Sequence, residues 1–309
     1  MLDQTTLVKA TINDAVQLTA IMKKTFDGEA EKWLTHLDTI DFNIQPPGYT
    51  SVEMTKYMIR ELEYFKVMYD GFLVGGIIAT ISGKSYGRID RIFIDPDYQG
   101  KGIGSLVINL IEKEFPYVRA WDLETSTRQL NNHYFYKKMG YVVTFEGEEE
   151  FCFVKHIKQP FQHESMMKNQ TLSHHQYENS DLSHSEYYQV TMERCSISNS
   201  NVSQIHMSNC NLSRSKFQNI NYRNTMFADL NLSDSEFIYV TLSGAQFIDT
   251  NLGDKGNPLL FNRCDLTGSK LVNCDLKHVE IEKCDITGMK IDNIPVEDLL
   301  HLYYQSSKH

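Results

Sequence analysis

The sequence predicts two folds in succession, an α/β domain and then an all-β solenoid, and three observations carry this. Helix-like and strand-like apolar patterns alternate through residues 1–158. From residue 169 onward the apolar positions recur every five residues. Between the two patterns, residues 159–168 have no periodicity and contain Pro160, as a linker does.

In the first half, Ala15, Leu18, Ile21 and Met22 fall on one helical face after a candidate cap at Asn13. Val52, Tyr57, Met58, Ile59 and Leu62 mark a second helix. Tyr64 to Tyr69 and Phe72 to Ile81 read as strands joined by Asp70-Gly71, a two-residue hairpin turn. Arg88 to Ile94 is a third strand, stopped by Asp95-Pro96. A helix over 104–114, a strand over 119–124 and a helix over 131–139 ending at Gly140 follow. Strands near 141–145 and 150–156 complete a mixed sheet.

In the second half, Leu172, Tyr177, Leu182 and every fifth residue to Leu252 are apolar. The segment 253–258 shifts the phase, and Phe261, Leu266, Leu271 and their successors to Val296 resume it. Neither a 3.6-residue helix nor a two-residue strand period produces this. A square coil does, because each five-residue side then points its central residue inward. The residue two before each centre is often small, as at Ser180, Cys195, Cys210, Ala245, Cys264, Cys274 and Cys284. Those cysteines are expected to be buried, compact and inert.

Composition narrows the function. The 309 residues carry a net charge of −10 with Lys and Arg dispersed, so no basic surface for nucleic acid or lipid is expected. No apolar run approaches the ~18 residues of a membrane span, and the first thirty residues lack a secretory pattern, which points to the cytoplasm. None of the six cysteines forms a CxxC pair, so no metal site is expected.

The repeat half resembles the pentapeptide-repeat family, and Cys264-Asp265-Leu266-Thr267-Gly268 follows its pattern closely. The resemblance implies a right-handed quadrilateral β-helix over 169–296. About 25 repeats at four per coil give roughly six coils, a rod on the order of 30 Å long at ~4.8 Å per coil. Residues 297–309 read as a capping and dimerisation helix with Leu299, Leu300, Leu302, Tyr303 and Tyr304 on its apolar side. Some family members bind DNA gyrase as duplex mimics and protect it from toxins or drugs. That role is one alternative here, beside a scaffold or homodimer contact.

The sharpest chemical signal is a strand that runs into Gln99, Gly100, Lys101, Gly102, Ile103 and Gly104 and then into an apolar helix. A helix N-terminus with free N–H groups suits a pyrophosphate. The spacing fits neither the dinucleotide-binding fingerprint nor the Walker pattern. It resembles the first motif of the GNAT acetyltransferases, and Asn131 to Tyr141 resembles a second. The resemblance covers roughly residues 5–158. It implies acetyl-CoA as co-substrate, with its pantetheine arm in a gap between splayed strands.

Carried over by position, Ile92, Phe93 and Ile94 would meet the pantetheine through backbone groups. Gln99 to Gly104 with Ser105 would hold the pyrophosphate, an N–H near Ile94 would stabilise the oxyanion, and Asn132 would bond the cofactor arm. Tyr136 matches the tyrosine that protonates the departing thiolate. Glu124, or Asp90 on the splayed strand, would take the proton of the amine. The acceptor is expected to be a primary amine, either a small antibiotic- or polyamine-like cation facing the acidic stretch Asp27 to Asp41, or a protein recruited by the solenoid.

Overall fold

In the computed structural model, residues 5–34, 41–157, 167, 169–228, 230–248, 250, 252 and 258–306 are described. Contacts divide the chain into two compact units, residues 1–250 and 251–309. Most of the expected linker, most of the phase-shifting segment 253–258 and the last three residues of the expected C-terminal helix lie outside the described residues.

The first unit is built on a seven-stranded sheet in the order β1-β2-β3-β4-β5-β7-β6. Its strands are β1 (Thr5–Lys9), β2 (Glu63–Tyr69), β3 (Phe72–Ser82), β4 (Tyr86–Ile94), β5 (Ala120–Ser126), β6 (Val142–Glu146) and β7 (Glu150–His156). Helices α1 (Ala15–Trp33) and α2 (Val52–Glu61) pack on one face, and α3 (Ile103–Glu114) and α4 (Leu130–Lys138) on the other. The β2–β3 turn takes the form its sequence requires, since Asp70 (φ 50°) and Gly71 (φ 80°) both adopt the left-handed region.

Two apolar layers sandwich the sheet. Ile77, Ile89, Trp121, Leu123 and Phe153 meet Ile103, Val107 and Ile111 of α3 and Tyr136 of α4. Tyr64, Ile78 and Phe93 meet Leu18, Ile21 and Met22 of α1 and Met58 of α2. Ser51 caps α2, accepting from the Met54 N–H at 3.1 Å. Asn13 is not the cap of α1. Residues Ile12–Asp14 form a 3-10 turn instead, closed by Asp14 accepting from the Thr11 N–H and hydroxyl at 2.7 Å each. Strand β1 has no counterpart in the sequence reading. Its five residues alternate over too short a span to stand out, and pairing with β2 defines it.

Beyond β7, the five-residue sides are evident in the backbone. A left-handed residue closes each side at regular intervals, as at His174, Asn179, His184, Gln189 and Arg194. The expectation of a sealed interior is overturned. Leu172 is 43% exposed and Phe217 56%, and all five repeat cysteines are exposed. The backbone hydrogen bonds are local, such as Ser185 N–H to Leu182 O at 3.2 Å. Among the described residues none joins one coil to the next, so the centres stay accessible.

The second unit carries the resumed repeats. They end in a hairpin of β8 (Lys290–Ile291) and β9 (Ile294–Pro295), turned by Asp292 (φ 48°) and Asn293 (φ 66°). Helix α5 (Val296–Ser306) follows. Val296 is therefore the first residue of a helix and not a coil centre, because the hairpin has already broken the five-residue register.

Candidate active site

The site begins with a failure of pairing. Strands β4 and β5 run parallel and share only three rungs, Tyr86 with Ala120, Gly87 with Trp121 and Arg88 with Asp122. Past that point Ile89 to Ile94 and Leu123 to Ser126 diverge, and a gap opens between them. Gly87 permits the close start of this pair, since a Cβ there would stand 2.7 Å from the Trp121 ring. A bulge between Ile78 and Ala79 shifts the β3–β4 register at Asp90, whose carboxylate accepts from the Thr80 hydroxyl at 2.7 Å.

Along β4, the Asp95 N–H just past the strand donates to Val74 O at 2.8 Å, on the β3 side. Strand alternation then turns the Ile94 N–H to the opposite edge, which is the gap. The Ile94 carbonyl accepts from the Gln99 side chain at 2.9 Å and from Thr25 of α1 at 3.2 Å. Gln99 thus braces the glycine loop against the end of β4. Ile92 and Ile94 pack on the α3–α4 side, and Phe93 packs on the α1–α2 side.

The loop is shaped by Gly100 (φ 76°) and Gly102 (φ 81°), the latter the N-cap of α3. No atom lies within 4 Å of a Cβ placed on either, so the space above them is open. The first intrahelical bond runs from the Leu106 N–H to Gly102 O at 3.3 Å. Helix geometry leaves the N–H groups of Ile103, Gly104 and Ser105 free at the positive end of the dipole. Lys101 stands 4.6 Å over the Tyr98 ring. A Cβ placed on Gly104 would stand 3.4 Å from the Phe135 ring, so α3 lies beside α4 here.

Tyr136 is buried on α4 among Phe135, Tyr141 and Phe153, with ring centroids 5.1, 5.9 and 5.8 Å away. Burial pushes its hydroxyl pKa well above the ordinary tyrosine value, so the proton is held throughout the neutral range. Asn132 donates to the Thr125 hydroxyl at 3.3 Å and so ties α4 to β5. His133 holds the same junction, with Nε2 2.8 Å from Ser126 O.

The two carboxylates lie on the opposite face and share a partner that the sequence reading did not single out. Arg88 bonds Glu124 through both guanidinium arms at 2.8 and 3.1 Å, and reaches Asp90 and Asp122 at 3.4 Å each. Hydrogen bonding to Arg88 lowers the Glu124 pKa, while burial raises that of Asp122. The signal was present: Arg88 and Asp90 share a face of β4, Asp122 and Glu124 share a face of β5, and parallel pairing joins the faces. Cys152, opposite Glu124 on β7, has its thiol pushed up to about 11 by burial and is a poor nucleophile.

Helix α1 crosses the open end of the gap. Thr25 reaches the end of β4, and Glu29 accepts from Gln129, just beyond β5, at 3.3 Å. Asp41 binds Ser126 and Arg128 at 2.7 and 2.6 Å. Asp27 accepts from Tyr49 at 2.6 Å, and the phenol is pushed up to about 12. Among the described residues no cluster of His, Cys, Asp and Glu could hold a metal ion, and no helix is long and apolar enough to cross a membrane.

This sheet, with its parallel pair splayed beside a glycine-capped helix, defines an acetyltransferase fold. Residues 61–143 match the acetyltransferase (GNAT) domain family. Residues 171–247 match the pentapeptide repeat region family, and 260–294 match eight pentapeptide repeats. The chain therefore carries a segment that matches the GNAT acetyltransferase domain, followed by segments that match pentapeptide repeats. Among solved structures it is similar to the PaiA N-acetyltransferase of Thermoplasma acidophilum in complex with coenzyme A, at 18% identity over 50% of this chain and 99% of that one, with a TM-score of 0.43. An acetyltransferase of Thermus thermophilus is similar at 16% identity over 50% and 97%, with a TM-score of 0.41. No curated protein matches the chain in sequence.

Proposed function

We propose that the chain transfers an acetyl group from acetyl-CoA to a primary amine of a small cationic molecule. The observation that carries this is the β4–β5 pairing, which stops after three rungs beside a helix N-terminus with open glycines. The residues fit the co-substrate. The N–H groups of residues 103–105 suit a pyrophosphate, and the gap suits an extended arm. Acetyl-CoA supplies an activated acetyl thioester.

The Ile94 N–H holds the oxyanion that forms when the amine nitrogen attacks the acetyl carbon. As the C–S bond breaks, Tyr136 gives its proton to the departing sulfur. The proton of the amine passes to water. Glu124 in its bond with Arg88 is a weak proton acceptor, and with Asp90 it supplies negative potential at the gap. Asp27, Glu29 and Asp41 around the α1 crossing are each paired with a basic residue, Lys23, Lys32 and Arg128. The negative potential that favours a cation therefore comes from the group at Arg88, where three carboxylates face one guanidinium. The chain acts in the cytoplasm as a homodimer through the exposed Leu299, Leu302 and Tyr303 of α5. Light scattering checks this, with twice the chain mass expected and the single mass counting against it.

The experiment is release of the CoA thiol by the full chain with acetyl-CoA and a panel of small amines and peptides. Turnover on polyamine- or antibiotic-like amines is expected, and turnover on peptides alone would reject the small-molecule acceptor. Glu124→Gln is expected to slow turnover by the same factor from pH 6 to pH 9. Its carboxyl is depressed and stays ionised over that window, so its removal costs the same field throughout. A loss that fades as pH rises would instead identify Glu124 as the base.

A further inference from the structure

We infer that Asn209 of the repeat half is a positioning residue for the acetyl-transfer gap, acting through Arg88. The functional half of this inference rests on the acetyl-transfer reading; the structural half does not. Arg88 and Asp122 form the last rung before β4 and β5 part. Asp90 lies on one diverging arm and Glu124 on the other, and Arg88 binds both. One guanidinium therefore ties the two arms at the vertex and sets how far they open.

Three carboxylates crowd that guanidinium, and the direction in which its remaining donors point matters. With its amide oxygen turned toward Arg88, Asn209 accepts from Nε at 3.0 Å and from Nη1 at 2.5 Å. Asn209 thus shares Nη1 with Glu124 and Asp122, and Nε with Asp90, and adds a neutral acceptor that holds the guanidinium between them. Asn209 sits at φ 51°, a left-handed corner that asparagine tolerates better than most residues.

Neighbouring contacts hold Asn209 in place. Tyr188 stacks on Tyr86, the first rung of β4, with centroids 4.0 Å apart and planes at 12°. The Ser208 and Ser82 hydroxyls are 2.8 Å apart, and Glu186 accepts from the Lys84 N–H at 2.7 Å. Gly83 allows that approach, since a Cβ there would stand 2.6 Å from Glu186. Residues 188 and 208 are twenty apart, four five-residue sides, so two successive coils reach the facing pair Tyr86 and Ser82 at the β3–β4 turn.

Asn209→Gly tests this, because glycine suits the left-handed corner and removes only the amide. Hydrogen–deuterium exchange is measured on the full chain without ligand. Residues 88–94 and 122–126 are expected to exchange roughly tenfold faster, as loss of a hydrogen bond to a charged group implies. Residues 5–9 and 63–69 should be unchanged. Asn209→Asp keeps the acceptor oxygen and should restore wild-type exchange. Unchanged exchange in Asn209→Gly, or no rescue by Asp, would overturn the role of Asn209. In turnover, Asn209→Gly is expected to raise the KM for acetyl-CoA severalfold with a smaller change in kcat, and Asp should reverse it. Faster exchange with unaltered KM and kcat would overturn the functional half alone. A wild-type chain inert toward every amine would count against acetyl transfer and leave the exchange result standing.

Discussion

Tyr136→Phe is expected to lower kcat by about 10²–10⁴-fold while acetyl-CoA binds as tightly as before. The substitution removes one hydroxyl and keeps the ring that packs among Phe135, Tyr141 and Phe153. The thiolate must then leave without its acid. Burial has raised the hydroxyl pKa, so the wild-type group is fully protonated across the working range and the loss should be similar from pH 6 to pH 9. Single-turnover rates with calorimetry separate the two effects. A variant within about twofold of wild type would make Tyr136 a packing residue only.

Ser105→Glu is expected to weaken acetyl-CoA binding roughly 10- to 1,000-fold. Ser105 lies in the first turn of α3 with helical backbone, so the change adds a charge without straining a left-handed glycine. A new carboxylate ~4 Å from a phosphate costs about 1–4 kcal/mol in partly aqueous surroundings, and the helix dipole compensates only part of it. The penalty should shrink as salt rises. Calorimetry on the folded variant reads it, and unchanged affinity would remove the pyrophosphate from this helix.

The elements that were legible in the sequence are those with a local signature. Asp70-Gly71 specified its turn, the glycine run placed the start of α3 at 104, one residue late, Gly140 marked a helix end, and the five-residue period identified the repeats over some eighty residues without a break. Strand β1 was not legible, because its existence depends on β2 sixty residues away. The bulge at Asp90 was hidden for the same reason, being a property of the β3–β4 register.

The candidate site divides in the same way. The glycine loop and Tyr136 stand in contiguous motifs. Arg88 becomes visible only once β4 and β5 are known to pair in parallel, and that pairing turns Glu124 from a free carboxylate into half of an ion pair. The inward facing of the repeat centres was inferred from period alone. Period fixes which residues share a side, but burial also needs hydrogen bonds between coils, which the described residues do not make.

The most direct measurement is a crystal structure of the full chain grown with acetyl-CoA. Expected are the pyrophosphate within hydrogen-bond distance of the N–H groups of residues 103–105, the pantetheine between β4 and β5, and the thioester oxygen at the Ile94 N–H. Acetyl-CoA bound elsewhere on the chain, with β4 and β5 empty between them, would contradict the assignment of this gap as the acetyl-transfer site.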